Sequence, residues 1–141
     1  TYIAQFMKEF PYNELKSLTH LSEWITVEQF AGDDFVYKKE LPPVEEIKKA
    51  EAGFNSAKEK MLRGKFDIII LDEVLVSIYF KLITTEQVLE FISNKPQQVE
   101  LILTGRYCPS EIIEKADLVT EMTEIKHYYQ QGVLSRRGIE S

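Results

Sequence analysis

The stretch Phe66-Asp67-Ile68-Ile69-Ile70-Leu71-Asp72-Glu73 decides the fold. Its aliphatic run does not alternate with polar residues, so it reads as a strand buried on both faces, as in a parallel sheet. The signal Arg63-Gly64-Lys65 stops the segment before it. In that segment, Val44 to Leu62, residues Ile47, Ala50, Phe54, Ala57 and Met61 step by three or four, which predicts an amphipathic helix. Downstream, Thr84 to Ser93 reads as a helix capped by Thr84 or Thr85, with Val88, Leu89 and Ile92 facing inward. Val99 to Thr104 reads as a strand, Pro109 to Ala116 as a helix, and Leu118 to Met122 as a last strand. From Lys126 the tail reads as irregular. Upstream, Thr1 to Met7 is expected to be a strand, Tyr12 to Leu21 a helix with Leu15, Leu18 and Leu21 in step, and Trp24 to Phe30 a strand. Ala31-Gly32-Asp33-Asp34 is a turn signal, and Phe35 to Lys39 continues as an exposed segment.

Strands alternating with helices predict one α/β domain over residues 1–141, a mostly parallel sheet with helices on both faces. Ligands of such sheets bind at the carboxyl ends of the strands. That rule selects Gln5 to Lys8, Asp72-Glu73 and Thr104 to Arg106.

Composition narrows the classes. Net charge is −6, from 17 Lys+Arg against 23 Asp+Glu, a poor match for nucleic acid. Nucleotide binding stays open, because local donors and a cation set that field. No apolar run approaches the length of a membrane span. The single cysteine, Cys108, forms no intrachain disulfide, which agrees with a reducing cytoplasm. The chain opens Thr1-Tyr2-Ile3-Ala4, without methionine, and reads as the continuation of an earlier segment.

Each candidate group has a plainer reading beside the functional one. Asp72, carried to the sheet edge by an apolar strand, resembles a Walker B aspartate that binds Mg²⁺ beside nucleotide phosphates, with Glu73 orienting a second group. A solvated acidic turn is the alternative for so short a pattern. Leu103-Thr104-Gly105-Arg106 supplies a hydroxyl, a bare backbone and a guanidinium suited to phosphate oxygens. Alone, it reads better as an ordinary turn. Lys8, beside Gln5, is placed to meet phosphates, or is simply solvated. Phe35 and Tyr37 share a side if extended and suit a flat apolar ligand, or pack on a helix. Cys108 near a helix start is either an activated thiol or, without an evident base, structural. No His/Cys spacing suggests zinc.

Taken in order, Gln5-Phe6-Met7-Lys8, Ile70-Leu71-Asp72-Glu73, Leu101 to Arg106, Ala116 to Met122, Lys126-His127 and Arg137-Gly138-Ile139-Glu140 closely resemble the P-loop type of ATP:corrinoid adenosyltransferase. The likeness is strongest from Phe66 onward, and Phe35-Val36-Tyr37 sits where that family carries Phe-x-Trp. The resemblance implies a RecA-like P-loop NTPase-type fold in a cytoplasmic homodimer supplied with Co(I) by a reductase. It implies attack of Co(I) on C5′ of ATP with release of triphosphate, in cobalamin biosynthesis or salvage. By the same likeness, Asp72 and Glu73 organise Mg²⁺, Gln5 and Lys8 lie near the nucleotide, Thr104, Gly105 and Arg106 support the triphosphate, and Phe35 and Tyr37 pack on the corrinoid.

Several positions depart from that pattern: Glu9 for a common Gly, Tyr37 for Trp, Leu75 for a polar residue, Tyr107 for a small one and Ser141 for an aromatic. The family's Walker A loop has no counterpart in these 141 residues. Its strand, loop and helix would add about 30 residues before Gln5. Either it precedes Thr1, the preferred reading for a chain that starts mid-fold, or the protein is a P-loop-less relative that binds corrinoid or nucleotide without turnover. A different P-loop ATPase, releasing phosphate or diphosphate, is the third reading.

Overall fold

The computed structural model describes residues 1–8, 13–30, 41–136 and 139. Strands β1 (Tyr2–Phe6), β2 (Thr26–Phe30), β3 (Ile68–Asp72) and β4 (Glu100–Leu103) form an all-parallel sheet in the order β2-β1-β3-β4. Helices α1 (Asn13–Leu18), α2 (Val44–Leu62), α3 (Val74–Tyr79), α4 (Thr85–Ser93) and α5 (Ser110–Lys115) flank it. This is the α/β architecture expected from the alternating pattern, and it is consistent with a P-loop NTPase-like fold.

Register divides the sheet into two unlike faces. Tyr2, Ala4 and Phe6 lie beside Thr26, Glu28 and Phe30, and Tyr2 and Ala4 also pair with Ile69 and Leu71. Side chains alternate along each strand, so these residues share one face. On it Tyr2, Ala4, Phe6, Ile69 and Leu71 are fully buried. Helix α2 covers that face with Ala50, Gly53, Phe54, Ala57 and Met61. Ile47, read as part of the stripe, is only partly buried. The ring of Phe30 sits directly on Gly53, where a Cβ would lie 2.3 Å from Phe30 Cγ. Phe54 meets Phe91 of α4 with ring centroids 5.0 Å apart. Each large side chain buried here stabilises the fold by about 1.5–3 kcal/mol.

The other face carries Ile3, Gln5, Val27, Gln29, Ile70 and Asp72. Ile3, Val27 and Ile70 are only half-buried, and Ile102 on β4 is exposed. The expected burial of β3 on both faces therefore holds for Ile69 and Leu71 but not for Ile68 and Ile70.

Three local readings change. The N-terminal helix is shorter than expected and ends in a 3-10 turn over Thr19–Leu21, and Leu15, Leu18 and Leu21 do not enter the core. Helix α3 stands where Val74, Val76 and Ile78, all β-branched, favour a strand. There Glu73 turns the chain with φ 61°, and Ser77 bonds back to the Glu73 carbonyl through its N–H (3.1 Å) and its hydroxyl (3.2 Å). Leu118 to Met122 is not a strand. Leu118 is 85% and Met122 94% exposed. A strand exists through its ladder, and no described strand pairs with this one. Helix α2 keeps its expected bounds, the other boundaries shift by two residues at most, and Thr84 caps α4 in a reciprocal capping box with Gln87.

Candidate functional site

The carboxyl ends of β1, β3 and β4 bring four of the candidate residues together. Gln5 pairs in register with Asp72, so their side chains emerge on the same, less covered face. Gln5 Nε2 donates to Asp72 Oδ2 at 3.2 Å, and Lys8 Nζ donates to the same oxygen at 2.7 Å. From the far side Thr104 Oγ1 donates to Asp72 Oδ1 at 2.8 Å. The same hydroxyl accepts the Glu73 backbone N–H at 3.0 Å, so its own proton is committed to Asp72.

The backbone around these groups is unusual. Met7, Glu73 and Tyr107 have φ of 56°, 61° and 61°, a region that non-glycine residues rarely adopt. Gly105 has φ 136°, and a Cβ there would lie 2.9 Å from Leu75 Cβ and 3.0 Å from Val76 N. Only a bare backbone fits so close to the start of α3. The Leu75 N–H donates to the Thr104 carbonyl at 3.2 Å, tying the end of β4 to that helix.

Electrostatics follow from the geometry. Burial pushes the Asp72 carboxyl up, but hydrogen bonds from Lys8 and Thr104, the Lys8 charge and Gln5 outweigh it and hold the carboxyl below its ordinary value. Burial pushes the Lys8 amine down, but Asp72, with Glu73 and Glu14 farther off, raises it above its ordinary value. Both groups are therefore ionised across the neutral range. Their side chains are 25% and 21% exposed, which makes the pair half-buried rather than a surface contact.

A magnesium ion prefers hard oxygen donors and keeps several waters, using one or two carboxylates together with substrate phosphates. The donor set fits that demand. Asp72 Oδ2 already accepts from two donors, whereas Oδ1 accepts one and has a lone pair to spare. Glu73 adds a half-buried carboxylate beside it. Among the described residues no cluster of three or more His, Cys, Asp or Glu forms a dedicated metal cage, so a cation here would need water and a ligand to complete its shell.

The remaining candidates are placed less centrally. Arg106 lies exposed two residues beyond Thr104. Next to it Tyr107 stacks on Tyr79, with ring centroids 4.3 Å apart. Phe35 and Tyr37 lie outside the described residues, as do Glu9, Arg137, Gly138 and Glu140. His127 caps the turn Tyr128–Gln131, its Nδ1 accepting the Tyr129 N–H at 3.0 Å. Burial raises the Cys108 thiol, the opposite of what an activated thiol needs. Sequence reasoning missed Gln29 on β2, whose Nε2 donates to Gln5 Oε1 at 3.1 Å. The only signal for it was position: Gln29 precedes the last residue of its strand just as Gln5 does.

A family model described as ATP:corrinoid adenosyltransferase BtuR/CobO/CobP matches residues 1–141. A corrinoid adenosyltransferase of Sinorhizobium sp is 31% identical over 110 residues, 77% of this chain and 51% of that protein. Another, of Escherichia coli (strain K12), is 32% identical over 84 residues, 60% of this chain and 43% of that protein. A third, of Pseudomonas aeruginosa, is 30% identical over 95 residues, 67% of this chain and 47% of that protein. The chain spans about half the length of the curated relatives it matches. With the family model matched from end to end and Gln5, Lys8, Asp72 and Thr104 gathered at one sheet edge, this chain belongs to the ATP:corrinoid adenosyltransferase family.

Proposed function

We propose that the protein transfers the 5′-deoxyadenosyl group of ATP to Co(I) of a corrinoid, with release of triphosphate. The observation that carries this reading is the convergence of Lys8, Gln5 and Thr104 on Asp72 at the carboxyl ends of three parallel strands. The nucleophile belongs to the corrinoid, so the protein needs none of its own. Its task is to hold ATP, orient C5′ and stabilise the leaving triphosphate.

The Lys8–Asp72 pair suits that task. Each partner neutralises the other until an anion and a cation arrive together. Lys8 would hold phosphate oxygens of ATP and Asp72 would hold Mg²⁺, so neither half-buried charge would be left alone. Bound magnesium supplies positive charge beside the triphosphate. Glu73 would orient water around it, and Thr104 holds the Asp72 carboxylate through its hydroxyl. Gly105 keeps the turn close to α3, and Arg106 reaches the outer phosphates. Phe35 and Tyr37 pack on the corrinoid and help remove its lower axial ligand. On the same reading the domain spans residues 1–141 and works in the cytoplasm as a homodimer, fed by a reductase that makes Co(I).

The test is incubation of the full-length protein, with any Gly-rich loop upstream of Thr1 included, with ATP, Mg²⁺ and a chemically reduced corrinoid. Adenosylated corrinoid and triphosphate should appear in equal amounts. Phosphate or diphosphate in place of triphosphate, or corrinoid binding without turnover, would overturn the reading.

A further inference from the structure

Asp72, Gln5 and Gln29 stand side by side across β3, β1 and β2, paired in register on one face of the sheet. Their hydrogen bonds have a direction. An ionised carboxylate only accepts, so the Gln5 atom facing Asp72 must be the NH₂ group. The Gln5 carbonyl oxygen is then turned the other way, and Gln5 is 5% exposed, so that oxygen needs a donor from within the protein. Gln29 Nε2 supplies it at 3.1 Å. With Gln29 donating, a flipped Gln5 would set N–H against N–H on one side and oxygen against the carboxylate on the other.

We infer that Gln29 is a positioning residue, fixing through Gln5 which Asp72 oxygen is left with a spare lone pair. With Gln5 and Lys8 both on Oδ2, the open position falls on Oδ1, beside Thr104. Gln29 stands on β2, with β1 between it and Asp72, and bonds to Gln5. Its link to catalysis rests on the proposed transfer reaction, whereas its hold on Gln5 does not.

The experiment follows the side-chain NH₂ of Gln5 by ¹⁵N NMR in the whole chain, the resonance assigned with Gln5→Met. In Gln29→Met the Gln5 carbonyl loses its donor, and the amide is held from the Asp72 side alone. Hydrogen exchange at Gln5 Nε2 should then quicken about tenfold, the factor that one lost hydrogen bond is worth. Gln29→Asn keeps the amide but is one methylene too short, so it should quicken exchange likewise. Backbone exchange at Ile69 and Leu71 should stay unchanged in both variants, which separates loss of the relay from loss of the fold. Unchanged exchange at Gln5 Nε2 in either folded variant overturns the inference. A second arm measures turnover against Mg²⁺. Gln29→Met should raise the Mg²⁺ needed for half-maximal rate several-fold and leave kcat at saturating Mg²⁺ within about twofold, the pattern of lost positioning rather than lost chemistry. A fall in kcat with no change in the Mg²⁺ requirement also overturns it. If the protein with its phosphate-binding loop present transfers no adenosyl group at all, the proposed reaction fails, and the exchange measurement still decides the relay.

Discussion

Two carboxylates on opposite faces of the sheet are held by almost the same set of donors. Asp72 accepts from Lys8, Gln5 and Thr104. Glu28 accepts from Lys60, from the Tyr2 hydroxyl at 2.8 Å and from the Ser56 hydroxyl at 3.3 Å. Burial raises both carboxyls and their hydrogen bonds outweigh it, so both stay below the ordinary carboxylate value. Their positions differ. Glu28 lies within β2 under α2, and its partners come from regular strand and helix. Asp72 ends β3, and its surroundings include positive φ at Met7, Glu73, Gly105 and Tyr107. Each such non-glycine residue costs about 1–2 kcal/mol. Backbone held against that cost gathers at functional sites. A chemist's list of donors does not separate the two clusters. Strand ends and strained turns do.

The sharpest way to break this contrast is to neutralise each carboxylate in turn. Asp72→Asn keeps the shape but removes the charge and turns an N–H toward Lys8, Gln5 or Thr104. Adenosyl transfer should fall by about 10²–10³, the range seen when a preorganised electrostatic group is removed. Glu28→Gln should leave transfer within about twofold, because it touches only the layer under α2. Equal losses in the two variants would show that both clusters serve the fold alone.

The next largest effect tests the turn behind Asp72. Gly105→Ala places a Cβ 2.9 Å from Leu75 Cβ at a φ of 136°. Stability should drop by about 2–3 kcal/mol from strain and overlap together. Gly64→Ala is the reference: φ is also positive, 68°, but nothing lies within 4 Å of the added Cβ. Its cost should be about 1 kcal/mol, from the backbone alone. Matched denaturant melts of the two variants measure the difference. If they coincide, the close approach of β4 to α3 contributes nothing.

The fold was legible where burial was strongest. Ile68 to Leu71 announced a parallel strand because a continuous apolar run has few other uses, and α2 showed its stripe from Ala50 to Met61. Legibility failed where apolar residues serve no core. Leu118, Val119 and Met122 carry a strand-like composition, yet they are exposed and form no ladder. Helix α3 was hidden for the opposite reason: Val74, Val76 and Ile78 favour strand locally, and the Glu73 turn with its Ser77 bonds overrides them. Within the site, Gln5, Lys8, Asp72 and Thr104 were each named from strand-end position, and the structure brings all four together. Gln29 was missed because its strand-end position, the same as that of Gln5, points to nothing until the register sets the two side by side.

The smallest effect concerns Glu28 and tests the claim that its cluster is structural. Its carboxyl titrates below the ordinary glutamate value of 4.5 in the folded chain. A depressed folded-state value means stability that is present above the unfolded value and lost as pH falls through the folded one. Glu28→Gln removes that contribution at every pH. The Glu28 and Lys60 side chains are 38% and 24% exposed, so water screens much of the pair, and the variant should lose only about 0.5–1 kcal/mol at pH 7. Below 4.5 the native carboxyl takes up its proton and comes to resemble the amide. The stability gap between native and variant should therefore be full above about pH 5 and close as the pH drops through the folded-state value. Denaturant melts of both proteins across that range measure it. A gap that persists undiminished in acid would mean that the amide fits worse for reasons of shape, and Glu28 would then hold α2 to the sheet by packing and hydrogen bonds rather than by its charge.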